Sequence, residues 1–98
     1  MARLPRVVTP GIPHQVAQRG NRLERTFFED GDYELYLDLL RQAARAARAE
    51  VWSYCLMPNH LHLIVVPSDP DGLWRTFRHV HRHYTGYINA RGRYGEPI

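Results

Sequence analysis

His60 and His62 stand two residues apart in the stretch Tyr54 to Val66, YCLMPNHLHLIVV, and are followed by the apolar run Leu63, Ile64, Val65 and Val66. Such a β-branched run reads as a buried or half-buried strand. Side chains at i and i+2 of a strand point to one face, so both imidazoles project side by side from a rigid platform. Paired imidazole nitrogens suit a divalent transition ion, which would need a third protein ligand and keep positions open for substrate oxygens. Pro58 and Asn59 break the chain just before the pair and place it at the strand's start, where a site can open to solvent.

The elements that must hold this pair follow from the rest of the pattern. His14 to Arg19 reads as a first strand, with Val16 alternating among polar neighbours and Gly20-Asn21 turning the chain. From Asp30 a helical period takes over: Tyr36, Leu39, Leu40, Ala43 and Ala47 share a face, Asp30 or Asp32 caps the start, and the end is expected near Glu50. Residues 51–57 read as a second strand, and the short Pro58-Asn59 break joins it to strand 60–66 as an antiparallel hairpin. Past the loop at residues 67–72, Leu73, Phe77, Val80, Tyr84, Tyr87 and Ile88 form the stripe of a second amphipathic helix, which Gly92 ends. Strand, helix, strand, strand, helix makes an α+β chain with five of the six elements of a ferredoxin-like βαββαβ unit.

Ninety-eight residues make one domain, residues 1–98, with an extended basic arm over 1–13 and the core over 14–98. All 13 basic residues are arginine against 10 acids, and the formal charge is +3. Residues 1–23 and 72–95 carry arginine and no acid, whereas the acids gather between Glu24 and Glu50. Arginine suits bidentate contact with phosphate. The expected DNA contacts are Arg3 and Arg6 on the arm, Arg19 and Asn21 at the end of the first strand, and Arg78 and Arg82 on the outer face of the second helix. Cys55 is the sole cysteine, which excludes an internal disulfide, fits the cytosol and leaves Cys55 as a small packing hydrophobe. No apolar run has the 18 or so residues of a membrane span. Tyr84 and Tyr87, on the apolar stripe, read as packing residues, and His79 with His83 as a solvated or phosphate-contacting pair.

The segments Pro13 to Asn21, Phe27-Phe28 with the Tyr33 to Leu40 helix, Tyr54 to Val65 and Tyr84 with Ile88-Asn89 resemble the single-tyrosine HUH transposases, of the REP-associated and insertion-sequence types. The resemblance covers about residues 11–91 and is most specific at Met57-Pro58-Asn59-His60-Leu61-His62-Leu63. It implies that His60 and His62 hold a divalent ion, Mg or Mn, against a phosphate of single-stranded or hairpin DNA. It further implies cleavage and rejoining through a phosphotyrosine intermediate. In the family the nucleophilic tyrosine and the residue completing the metal site follow a fourth strand, and this chain stops at Ile98 before either. The resemblance therefore implies a C-terminally truncated member, with Tyr84 the fallback nucleophile within the chain and Tyr87 and Tyr94 the others. The edge of the first strand, which the fourth would cover, then favours pairing with a second copy as a homodimer. A catalytically inactive DNA-binding remnant is the alternative to an active transposase.

Overall fold

Strand β1 (His14–Arg19), helix α1 (Asp30–Ala47), strands β2 (Glu50–Met57) and β3 (His60–Val66) and helix α2 (Gly72–Ala90) follow one another along the chain. They are seen in a computed structural model that describes residues 4, 5, 7–19 and 25–92. β3 is central and antiparallel to both neighbours, in the order β1-β3-β2. The order of elements and the α+β class are those the sequence pattern predicts.

Alternation along the strands decides which face of the sheet the helices cover. Leu61, Leu63 and Val65 of β3 and Val16 of β1 are buried. They join Tyr36, Leu40 and Ala43 of α1 and Leu73, Phe77, Val80, Tyr84 and Ile88 of α2 in one core. Both helices therefore lie on the same side of the sheet. Aromatic rings fill the space between them: Phe27 stacks on Tyr33 at 4.5 Å between centroids, while Tyr84 meets Phe27 and Tyr36 at 5.5 Å each. Edge and tilted contacts of this kind add to the area they bury.

The ends of α1 differ in detail from expectation. Glu29, not Asp30 or Asp32, is the N-cap residue. Asp32 reaches back from the first turn, its Oδ2 accepting the N–H groups of Phe28 at 2.8 Å and Glu29 at 3.0 Å, which satisfies donors a helix start leaves open. The helix stops at Ala47 because Arg48 turns left-handed at φ 55, letting the Ala49 N–H donate to Ala44 O at 2.8 Å. In β2 the register slips between Val51 and Ser53, leaving Trp52 as the extra residue of a bulge.

The described part of the arm forms no helix or strand, but it does not stand away from the domain. Leu4 and Val8 pack against the core, and the Gly11 N–H donates to Pro67 O at 2.8 Å. Gly11 has φ 81, a conformation costly for residues with a Cβ. Arg3 and Arg6 lie outside the described residues. No helix among those described is long and apolar enough to cross a membrane.

Candidate functional site

The same alternation that buries Leu61 and Leu63 puts His60 and His62 on the sheet's other face, which no described helix covers. His60 is half-buried and His62 exposed, with ring centroids 5.5 Å apart and planes at 79°. Two imidazole nitrogens held cis at about 2.1 Å from one ion bring their ring centres to about 5 Å, so the observed spacing fits a shared ion with little adjustment. Asn59 presents Oδ1 to His60 Nδ1 at 2.8 Å. An amide oxygen only accepts, so Nδ1 carries the proton and Nε2 keeps its lone pair for a ligand. Among the described residues, no three His, Cys, Asp or Glu side chains gather as a complete metal site.

The turn that starts β3 is itself fastened. Pro58 O accepts the N–H groups of Thr26 at 2.7 Å and Phe27 at 3.1 Å, and the Tyr84 hydroxyl donates to Thr26 O at 2.7 Å. A run of bonds from α2 through residue 26 thus fixes the hairpin turn whose next residues are Asn59 and His60.

Pairing brings further residues to this face. On β1, Arg19 lies opposite His60 and Ala17 opposite His62; on β2, Met57 and Cys55 occupy the corresponding places. Among the expected DNA contacts that lie in the described residues, Arg19 is therefore the one set beside the histidines. Arg78 and Arg82 are on the exposed side of α2, facing away from the core and hence on the opposite side of the molecule from His60 and His62. There Arg78 sits 5.0 Å over the Trp74 ring, and His79 and His83 bring their rings within 4.3 Å. Asn21 and Tyr94, like Arg3 and Arg6, lie outside the described residues.

Several expectations are corrected. Tyr84 is not placed to act as the fallback nucleophile: it is 1% exposed, its hydroxyl is held by Thr26 O, and burial pushes its pKa well above the usual phenol value. Tyr87 leaves the buried stripe and is 46% exposed, its ring under the Arg91 guanidinium at 5.1 Å. Cys55 is exposed rather than packed, since it shares the uncovered face with His62. The arginine stretch of α2 is also less free than its sequence suggests, because Arg75 is paired with Asp69 at 2.7 Å and Arg91 with Asp32 at 2.7 Å.

One polar core residue escaped the sequence reading. His81 is 3% exposed, and its Nε2 lies 2.9 Å from the Tyr36 hydroxyl. Burial lowers its pKa to about 3, so it is neutral in the fold. Its spacing from Phe77 and Tyr84, four and three residues, carried the signal.

No family model matches the chain, and no curated protein matches it. Several solved structures share its fold, two of them transposases by name. One is a REP-associated tyrosine transposase bound to a REP hairpin, at a TM-score of 0.69 and 20% identity over 91% of this chain. The chain spans 54% of that protein. The other, from Deinococcus radiodurans R1 and provisionally called a transposase, has a TM-score of 0.65 and 16% identity, over 90% of this chain and 70% of its own.

Proposed function

We propose that this chain is a transposase domain of the tyrosine HUH type, which binds single-stranded or hairpin DNA and holds a divalent ion, Mg or Mn, between His60 and His62. The observation that carries this reading is the imidazole pair, side by side on the uncovered face of β3 with the His60 tautomer set by Asn59. The fold shared with a transposase solved on its DNA hairpin supports it. Once bound, the ion supplies charge stabilisation to a phosphoryl oxygen during displacement. His60 would offer Nε2 and His62 a ring nitrogen as its ligands, and Asn59 orients His60. Arg19, across the strand pair from His60, offers a guanidinium suited to a neighbouring phosphate oxygen. Arg78 and Arg82 contact DNA backbone elsewhere, on the outer side of α2.

Cleavage through a phosphotyrosine needs a tyrosine hydroxyl on the histidine face. Tyr54, the one tyrosine on a described strand, alternates with Cys55 and points with Leu63 to the other face. Tyr84 is sealed in the core. Among the described residues no tyrosine hydroxyl is placed on the histidine face, which supports the second reading, in which the chain binds DNA without cutting it. The β1 edge is unpaired among the described residues and would accept a strand from a second copy.

The test is incubation of the protein with labelled hairpin-flanked single-stranded DNA and Mn, followed by native and denaturing electrophoresis. The expected result is a native complex that Mn strengthens and that loses this Mn dependence in the His60→Ala, His62→Ala variant, with no covalent adduct. Absence of any complex overturns the proposal. An adduct abolished by Tyr84→Phe overturns the assignment of Tyr84 to the core.

A further inference from the structure

A groove of about 590 Å³ runs between α1 and the outer edge of β2, on the helix side of the sheet and so away from His60 and His62. Leu37, Leu40, Ala44, Ala49 and Val51 line it with apolar surface. Trp52 and Tyr54 bound it on the strand side, at 61% and 57% exposure, unusual for rings of that size. Arg41 and Arg45 bound it on the helix side. Among the described residues, no acidic one lines it. Arg41 is partly neutralised by Asp38 at 2.8 Å, whereas Arg45 forms no ion pair with a described residue.

We infer that this groove takes single-stranded DNA, with bases stacked on Trp52 and Tyr54 and the backbone along Arg45 and Arg41; this rests on the reading of the chain as a DNA-binding transposase domain. Three features select that occupant. Aromatic rings beside arginines match a polymer that alternates flat apolar bases with phosphate charge. The two rings border the same groove, two residues apart in the chain, so consecutive bases of an extended strand can each find one. A peptide adding itself as a further strand is disfavoured, because the bulge at Trp52 breaks the regular row of β2 donors and acceptors that strand addition needs. A base-paired duplex is excluded by the same stacking, since its ring faces are already covered.

The experiment uses Trp74→Phe protein, in which Trp52 is the sole tryptophan, titrated with ten-residue oligothymidylate. Trp52 emission is followed together with the anisotropy of a fluorescein on the oligonucleotide. Binding should quench Trp52 saturably. Adding Tyr54→Ala should weaken binding roughly tenfold, within the range for losing one stacked base, and Arg45→Ala should lessen the dependence on salt. All three positions are exposed, so circular dichroism should be unchanged. If anisotropy reports binding while Trp52 stays unquenched and Tyr54→Ala leaves affinity unchanged, the groove is not the site, although the DNA-binding reading stands. If anisotropy reports no binding, both fall. Equal quenching by a blunt duplex overturns the single-strand assignment. A dimer in sedimentation that Tyr54→Ala dissociates gives the groove to a second copy of the chain instead.

Discussion

Replacing Arg91 with Ala tests whether the last turn of α2 is clamped to the first turn of α1. The guanidinium meets both Asp32 oxygens, at 2.7 and 2.9 Å, and Glu29 at 2.7 Å. Asp32 is 1% exposed, and Arg91 keeps 24% of its side chain in solvent. Burial raises the Asp32 pKa, but the Arg91 hydrogen bonds and the N–H groups of Phe28 and Glu29 outweigh it, leaving the carboxyl below the usual range. Removing the guanidinium leaves the buried Asp32 carboxylate without its compensating charge, so Arg91→Ala should destabilise the fold, by less than for a pair in which both partners are buried. Glu29 is exposed and adds little. Thermal unfolding should fall by several degrees, since a small domain shifts its midpoint strongly for a modest loss of stability. The sign with pH is fixed: a depressed carboxyl stabilises the fold above its unfolded pKa of about 3.9 and loses that contribution as pH falls through the folded value. The gap between wild type and Arg91→Ala, measured by urea unfolding, should therefore narrow as pH is lowered from 6 towards 3. A thermal midpoint equal to that of the wild type, or a gap that stays constant across that range, refutes the clamp.

His81 titrates at about 6.5 when unfolded and about 3 in the fold, so its contribution is complete above 6.5 and drains as pH falls towards 3. His81→Gln should flatten the stability profile between those values in urea titrations, and an unchanged slope would show that His81 is not buried as a neutral ring. Cys55 should react with an aromatic disulfide reagent in the folded protein about as fast as in urea; strong protection would contradict its place on the uncovered face beside His62.

The periods of two and 3.6 residues carried most of the fold: Val16 and the Leu61, Leu63, Val65 series, then Tyr36, Leu40 and Ala43, then Phe77, Val80, Tyr84 and Ile88, are buried where the pattern places them. His60 and His62 share a face for the same local reason. What the pattern lacks is long-range register. That Arg19 lies opposite His60, and Cys55 opposite His62, depends on how β1 and β2 pair with β3, and no residue nearby in sequence states it. Arg91 and Asp32 are 59 positions apart, so their bond was equally invisible, and a segment rich in arginine looked more available to DNA than it is. Tyr87 misled because it sits at the border of the helical stripe, in the last turn, where α2 runs beyond the aromatic core.

The central strand has only two registers available to each side chain, inward or outward. Sliding β3 by one residue would carry Leu61, Leu63 and Val65 into water and drive both imidazoles into the core, a penalty of several kcal/mol. Error in placing His60 and His62 is thus prevented by residues that never touch an ion or a phosphate. The imidazoles can be exchanged for other side chains without loosening the strand, whereas replacing the leucines would misplace the imidazoles while leaving them chemically intact.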